Sequence, residues 1–370
     1  MKSEGKSRKT RDRGQKGKGK GQGKERPLTL SPLPFTPRRG RRPSVAVVGA
    51  GRLGTALARA LAACGYEVRA LVSRREARAR RAVELAGVEA RALGFARLEE
   101  LPPSDLLFIT TPDDVIAEVA ERVAALPFED ARGRDGAVGR GSARVREDGR
   151  GRESARVQES ARVRVALHAS GALSSEALAP LRARGFRVGS MHPLASVSDP
   201  AAGAKSLRRA FYCVEGDRAA AAFARRVVRD LGGESFSIKP ADKALYHASA
   251  LITAGHTVAL FDIAAGLLAR CGLAPERARR VLLPLLASTV ENLSRTSPER
   301  ALTGTFARGD AATVRKHIKA LRDACEPDSL LAYALLGGRS LRLAARAGTD
   351  AARLTEIARL LAEALGINEE

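Results

Sequence analysis

A short glycine-rich turn constrains the fold of this chain more than any other feature of its sequence. Residues 49–54 read Gly-Ala-Gly-Arg-Leu-Gly, directly after an apolar run at residues 45–48 and directly before a segment in which Leu57 and Leu61 have helical spacing. An apolar run of this length that ends in glycine is typical of a buried parallel strand. Strand, glycine turn and helix in this order predict the opening unit of a doubly wound α/β sheet.

Each glycine of this turn has its own expected role in binding a dinucleotide. Gly49 permits the tight turn, Gly51 lets the backbone approach a pyrophosphate, and Gly54 lets the helix pack closely on the strand. The free N–H groups and the dipole of the helix N-terminus then favour the phosphates. The alternative is a glycine-rich turn that binds no nucleotide. We predict that six consecutive residues bind a cofactor: Gly49, Ala50, Gly51, Arg52, Leu53 and Gly54.

The order of the remaining segments indicates two domains. Further strands are predicted at residues 66–72, 106–109, 163–168, 187–192 and 210–214. Helical segments separate several of these strands, which indicates a parallel sheet with crossover connections. Later segments are helical, at residues 244–271, 275–293, 311–324, 329–347 and 351–365. We expect a mainly parallel Rossmann domain over residues 44–215 and an all-α domain over residues 216–370.

Two segments have the composition of chain that buries too little apolar surface to fold. Residues 1–43 consist mostly of Lys, Arg, Gly, Gln and Pro, and they carry much of the net charge of +23. Residues 129–164 hold an imperfect repeat of Ser-Ala-Arg-Val inside the first domain. We predict a disordered basic tail and a low-complexity insert. The tail is either a solvated extension, which we favour, or a weak and non-specific binder of polyanions.

The cysteines and the hydropathy of the sequence indicate the cellular compartment of the protein. The four cysteines show no CxxC spacing, and each lies in an apolar or helical context, as reduced cysteines of the cytosol do. No apolar run reaches the roughly 18–20 residues that span a bilayer. No apolar core follows the basic N-terminus as it would in a signal peptide. We therefore expect a cytoplasmic protein without a membrane segment. We expect no metal site, because the His, Asp and Glu residues do not have the spacing of metal ligands.

The end of the second strand indicates which dinucleotide binds. An NAD site usually places a carboxylate there for the ribose hydroxyls, whereas this chain has Ser73, Arg74 and Arg75. Because guanidinium pairs bidentately with phosphate, these residues favour NADP over NAD. The alternative for both arginines is ordinary solvated surface. Three residues that end another strand at this edge are also expected to contact the cofactor: Thr110, Thr111 and Pro112.

Several short motifs occur in the order found in a known family. They are the glycine turn, Thr-Thr-Pro-Asp-Asp from residue 110, His-Ala-Ser-Gly-Ala-Leu-Ser-Ser from residue 168, Gly-Ser-Met-His-Pro-Leu from residue 189, and Leu-Tyr-His-Ala-Ser-Ala from residue 245. The set resembles bacterial Rossmann-like proteins with a C-terminal helical domain of unknown function, DUF2520. The resemblance covers residues 44–128 and 163–330, so it excludes the tail and the insert.

This family is in turn similar to a wider group that contains pyrroline-5-carboxylate reductase, ketopantoate reductase and the β-hydroxyacid dehydrogenases. The resemblance implies an NADP-dependent oxidoreductase with a helical domain of the 6-phosphogluconate-dehydrogenase-like kind, which supplies the substrate site and often the dimer interface. It names no substrate. Small residues in the helix at residues 244–271 also permit tight helix pairing, so we expect a homodimer through the helical domain.

The start of the same helix holds the candidate catalytic residues. Hydride transfer to a carbonyl or imine needs a proton donor or positive charge beside the forming oxyanion or amine. Lys243 and His247 are four residues apart and share one helix face. The resemblance implies that Lys243 matches a lysine of the β-hydroxyacid dehydrogenases, and that His247 replaces their asparagine. The alternative for Lys243 is a surface lysine at a helix start, and the alternative for His247 is a core histidine.

Two other histidines end predicted strands at the cofactor edge of the sheet. We predict that four residues in these two places bind substrate: His168, Ser170, Gly171 and His192. The predicted function is reduction of a small carbonyl or imine compound by NADPH. The alternative is a non-catalytic NADP-binding sensor or regulatory protein, since the resembling family often has an asparagine where this chain has Gly255.

Overall fold

The computed structural model describes residues 42–127, 164–324 and 327–366. The chain forms two compact units that divide between Asp262 and Ile263. Nearly all of the predicted basic tail at residues 1–43 and of the predicted insert at residues 129–164 lies outside the described residues.

The first unit is built on a twisted sheet. Over the described residues its strands are β1 (Ser44–Val48), β2 (Glu67–Ser73), β3 (Arg91–Gly94), β4 (Leu106–Ile109), β5 (Val165–His168), β6 (Arg187–Pro193), β7 (Phe211–Gly216) and β8 (Glu234–Phe236). Their order is β3-β2-β1-β4-β5-β6-β7-β8. Every neighbouring pair is parallel except β6 and β7, which are antiparallel. The chain winds outward from β1 in both directions, which confirms the predicted doubly wound Rossmann fold.

Helices cover both faces of this sheet, so its central strands are buried on both sides. The helices are α1 (Arg52–Ala63), α2 (Glu76–Ala86), α3 (Ile116–Ala124), α4 (Ala179–Ala183), α5 (Pro200–Leu207) and α6 (Arg218–Asp230). In β1, Val45 and Val47 belong to the core that α1, α5 and α6 share. Ala46 and Val48 belong to the core that α3 and α4 share. This alternation is the two-residue period of a strand buried on both faces.

The strand register brings the carboxyl ends of four strands to one edge. Val48 of β1 pairs with Ile109 of β4, and Ile109 pairs with His168 of β5. His168 in turn pairs with Ser190 of β6. The glycine turn, the threonines after β4 and the loop after β5 therefore start side by side, at the edge where open α/β sheets bind ligands.

The first unit extends further along the chain than predicted. The expected boundary at residue 215 falls inside it, because α6 packs against the sheet and β8 pairs with β7. The buried face of α6 combines alanines such as Ala220 with Val227 and Val228. This amphipathic spacing indicates a helix with one buried face, but it does not show which unit that face packs against.

The second unit is helical throughout its described part, as predicted. The helix α7 (Lys243–Arg270) starts in the first unit and ends in the second. It is followed by α8 (Pro275–Arg295), α9 (Pro298–Ala301), α10 (Ala311–Asp323), α11 (Pro327–Arg346) and α12 (Ala351–Ala364). The core of this unit joins α10, α11 and α12 through Val314, Ala344 and Ile357. Asp310 and Asp350 cap the N-termini of α10 and α12 with their carboxylates.

One helix differs from the expectation about membrane segments. Among the described residues, Pro240–Arg270 is long and apolar enough, by length and composition alone, to cross a membrane. A core helix of a soluble protein passes the same test, so this single helix is weak evidence for a membrane location. What distinguishes it is exposure, because only 6% of its most apolar window is buried.

Candidate active site

Gly49 occupies a position that admits no side chain. Its φ is +108°, a conformation that residues with a Cβ rarely adopt. A Cβ there would lie 2.5 Å from the backbone nitrogen of Thr111 and 2.6 Å from the carbonyl carbon of Thr110. The N–H groups of Gly49 and Ala50 both donate to the carbonyl oxygen of Val72, at 2.9 and 2.8 Å. The turn is thereby fixed against β2 and β4 at once.

The other two glycines have the surroundings that the sequence predicted. A Cβ on Gly54 would lie 2.5 Å from Thr110 Oγ1 and would also clash with the carbonyl oxygen of Gly49. A Cβ on Gly51 would meet nothing nearer than that oxygen, at 4.0 Å. Gly51 also begins α1 without a side-chain cap. The backbone is therefore open to a ligand at Gly51 and close-packed at Gly54.

A cavity of about 470 Å³ lies beside this turn. The predicted cofactor residues that line it are Gly49, Ala50, Gly51, Ser73, Arg74, Thr110, Thr111 and Pro112. The predicted residues Arg52, Leu53, Gly54 and Arg75 do not line it. Residues that were not predicted to bind the cofactor complete the wall, among them Arg78, Phe95, Asp114, Glu118 and Arg122. The Arg122 guanidinium lies 4.2 Å from the centroid of the Phe95 ring.

One polar atom in the cavity wall is suited to a ligand. Thr111 Oγ1 is buried and has no hydrogen-bond partner among the described residues. A buried hydroxyl without a partner is rare in folded proteins, because its desolvation is then uncompensated. The open space at Gly51, the uncapped N-terminus of α1 and this hydroxyl together fit the phosphates and polar groups of a dinucleotide.

Three guanidinium groups gather at the end of β2. Arg74, Arg75 and Arg78 line a second cavity of about 310 Å³, and Arg74 and Arg78 line the first cavity as well. Arg78 was missed because α2 was not predicted from the sequence. Arg78 lies in the first turn of α2, which begins at Glu76 directly after Arg74 and Arg75, so a predicted helix at this place is the signal that would have found it. The cluster fits the 2′-phosphate that distinguishes NADP from NAD.

His168 and Ser170, both predicted to bind substrate, are engaged within their own loop. His168 is fully buried, its Nδ1 accepts a hydrogen bond from Ser170 N at 3.1 Å, and its Nε2 lies 3.0 Å from the carbonyl oxygen of Ser174. Because Nδ1 accepts, Nε2 carries the proton and donates. Ser170 Oγ donates to Asp113 at 2.7 Å and accepts from two backbone N–H groups of the loop. These contacts assign both side chains to the structure of the loop.

Lys243, a predicted catalytic residue, is 1% exposed. Its Nζ donates to the carbonyl oxygen of Ser170 at 3.1 Å and to Ser190 Oγ at 2.7 Å. A surface lysine, the alternative from the sequence, is thereby excluded. The ammonium instead ties α7 to the loop after β5 and to β6.

His192 and His247 converge beside Gly171. Their ring centroids are 5.5 Å apart. A Cβ on Gly171 would lie 2.9 Å from His192 Nε2 and would clash with His247 Nδ1. His247 Nδ1 is buried and has no hydrogen-bond partner among the described residues. The structure therefore brings together three of the predicted site residues, at a point where only glycine fits.

Burial favours the uncharged forms of His168, His192 and Lys243. It lowers the pKa of His168 to about 4 and that of His192 to about 4. Repulsion from His247 and Lys243 adds to the effect on His192. Burial also lowers the pKa of the Lys243 ammonium. His168 and His192 are consequently neutral near pH 7, where each can donate or accept a hydrogen bond but carries no charge.

Two family models match the chain. Residues 44–129 match the family described as NADP oxidoreductase coenzyme F420-dependent. Residues 210–340 match the domain of unknown function DUF2520. Among curated proteins, none matches the chain.

Solved structures share the fold at low sequence identity. A protein of Bacteroides fragilis, provisionally named an NADP oxidoreductase, has a TM-score of 0.59 and 20% identity over 81% of this chain and 98% of its own. A protein of Thermotoga maritima has a TM-score of 0.52 and 22% identity over 87% of this chain and 98% of its own. A pyrroline-5-carboxylate reductase of Streptococcus pyogenes has a TM-score of 0.49 and 12% identity over 88% of this chain and 100% of its own.

The fold and the family matches support a Rossmann-type oxidoreductase with a helical C-terminal part. Within the chain, a segment that matches the NADP oxidoreductase family precedes one that matches DUF2520. The predictions of this family and of NADP as its cofactor are thereby confirmed.

Proposed function

We propose that this protein reduces a small carbonyl or imine compound with NADPH, at the sheet edge where His192 and His247 meet Gly171. One observation carries the proposal. The strand register sets the glycine turn after β1 and the loop that contains Gly171 at the same edge of one sheet. A bound dinucleotide and a polar compound beside the histidines therefore meet within one structural unit.

The residues that would hold NADPH follow from the cavity and its surroundings. The free N–H groups at the start of α1 would bind the pyrophosphate, which the missing side chain of Gly51 lets approach. Arg74, Arg75 and Arg78 would bind the 2′-phosphate. Thr111 Oγ1 would gain the partner that it lacks. The cofactor supplies a hydride when it is bound.

His247 is the better candidate for contact with the substrate of the two predicted catalytic residues. Its Nδ1 is buried and lacks a partner among the described residues, whereas the Lys243 ammonium already donates to Ser170 and Ser190. An uncommitted imidazole nitrogen can hold or deliver the proton that a reduced oxygen or nitrogen takes up. Lys243 would then fix the position of the loop that carries Gly171.

The alternative of a non-catalytic NADP sensor rested on Gly255. This residue is exposed on α7, and a Cβ there would meet only the side chain of Leu251 one turn earlier. A Cβ at this position therefore makes no contact with the histidine cluster within one copy of the chain. The position of Gly255 therefore does not support the interpretation of the protein as a sensor.

The proposal is tested by fluorescence titration with NADPH and NADH, followed by assays of NADPH oxidation against a panel of oxo acids, ketones and cyclic imines. We expect tighter binding of NADPH and its oxidation with at least one compound. Replacing His247 with alanine should lower kcat by about 100-fold, the usual scale for a lost general acid. Binding without turnover across the panel would support the sensor instead.

We also propose that a second copy of the chain packs on the apolar side chains that α7 exposes, and that the protein is cytoplasmic. Leu245 is 76% exposed, Ile252 63% and Val258 70%. A helix with such exposed apolar residues is typical of a protein interface. In light scattering coupled to size exclusion, we expect a dimer without detergent, and a monomer for Ile252→Glu. Recovery of the chain only with lipid or detergent would point to the membrane.

A further inference from the structure

Tyr246 precedes His247 on α7 and makes the shortest polar contact at the histidine cluster. Its hydroxyl lies 2.6 Å from His192 Nδ1. The Tyr246 ring packs edge-on against Phe236, with centroids 5.8 Å apart, and against the His192 ring at 5.5 Å. Tyr246 belongs to the motif that starts at residue 245 but was not among the predicted site residues.

The direction of this hydrogen bond follows from the protonation of both groups. Burial raises the pKa of the Tyr246 hydroxyl, so the phenol keeps its proton. The hydroxyl has no other acceptor among the described residues, so it donates to His192 Nδ1. Burial also holds His192 neutral by lowering its pKa to about 4. A neutral imidazole that accepts at Nδ1 carries its one proton on Nε2.

His192 Nε2 has no acceptor among the described residues. It lies beside Gly171, where a Cβ would come within 2.9 Å of it and would clash with His247 Nδ1. His247 Nδ1 is also without a partner among the described residues. The cluster therefore holds an N–H donor and an imidazole nitrogen that no protein group uses, next to a residue without a side chain.

We infer that Tyr246 is a positioning residue that locks His192 in the Nε2–H tautomer, and that this N–H binds the carbonyl oxygen of a ketone or aldehyde substrate. The inference rests on the proposed reductase function and narrows its substrate class. During reduction the hydride adds to the carbonyl carbon, the C=O π bond breaks, and negative charge builds on the oxygen. A fixed neutral N–H donor stabilises that charge. A protonated imine has no lone pair for such a donor, so carbonyl compounds should be preferred.

The first test reads the tautomer directly and needs no substrate. Long-range 1H–15N correlation spectra of histidine-labelled protein distinguish Nε2–H from Nδ1–H imidazoles, and His192→Gln assigns the signal. We expect Nε2–H for His192 in the wild-type protein and a mixture of tautomers in Tyr246→Phe. A wild-type Nδ1–H tautomer, or an unchanged tautomer in Tyr246→Phe, would overturn the inference.

The second test measures kinetics with a matched control. The second unit contains a similar pair, in which Tyr333 Oη lies 3.0 Å from His317 Nδ1. Tyr246→Phe should lower kcat about tenfold with KM and NADPH affinity nearly unchanged, because the donor acts mainly in the transition state. Tyr333→Phe should change neither. Equal kcat in the Tyr246→Phe and Tyr333→Phe variants contradicts the inference, and so does turnover with imines alone. If no compound is turned over, the proposed function is refuted, and the tautomer measurement is unaffected.

Discussion

The glycine turn and the histidine cluster lie at the same edge of one sheet, but they are built from different atoms. The turn presents backbone groups, and its shape depends on the missing side chains of Gly49, Gly51 and Gly54. The histidine cluster presents side-chain nitrogens, and its shape depends on hydrogen bonds between distant parts of the chain. The cofactor position is therefore set locally, whereas the chemistry beside it is set by tertiary packing.

A single methyl group at Gly49 is expected to disrupt the turn. Gly49→Ala should weaken NADPH binding by roughly 100-fold or more and lower the free energy of unfolding by about 2–4 kcal/mol, because the new Cβ strains the backbone and clashes with Thr110 and Thr111. Titration and urea unfolding measure the two effects. Gly87→Ala is the control, since Gly87 also has a positive φ, +66°, but no neighbour within 4 Å. It should cost about 1 kcal/mol and leave NADPH affinity unchanged.

The buried histidines predict a dependence of stability on pH. In the folded state the pKa of His168 and that of His192 are about 4, below the ordinary value of 6.5. As the pH falls below 6.5, the unfolded chain takes up protons that the folded chain does not, so stability present at pH 7 is lost towards pH 4. Between pH 7 and pH 5, each histidine should cost about 2 kcal/mol of unfolding free energy.

Urea unfolding at pH 7 and at pH 5 measures this loss. Most carboxylates remain ionised at pH 5. His192→Gln should remove about half of it, and replacement of the exposed His256 should not. Equal stability at pH 7 and pH 5 would show that neither imidazole is held neutral by the fold.

The smallest of these effects concerns the arginines at the end of β2. Arg78→Ala should weaken NADPH binding about tenfold and leave NADH binding unchanged, because the guanidinium would contact only the 2′-phosphate. Arg81→Ala, on the exposed part of the same helix, should change neither. An equal loss of affinity for both cofactors would place Arg78 at the pyrophosphate or outside the site.

The sequence predicted the elements whose signals are local. Strand β4 was predicted with its observed ends, and α7 within one residue of them. The helix α2 was missed because its buried face consists of alanines. The helix α6 was left outside the first domain because its amphipathic pattern does not show which unit it packs against. The functions of His168 and His192 could not be separated from sequence, since both end strands at the same edge. Only contacts with Ser174 and Tyr246 distinguish a loop histidine from one that faces a ligand.

The most direct test of the account follows the hydride itself. NADPH carrying deuterium at either face of the nicotinamide C4 is incubated with the protein and each carbonyl compound of the panel, and the products are examined by mass spectrometry. The account predicts that deuterium from one face alone appears on the former carbonyl carbon of a product, and that transfer falls about 100-fold in His247→Ala. NADPH that binds tightly but transfers no deuterium to any compound would contradict it.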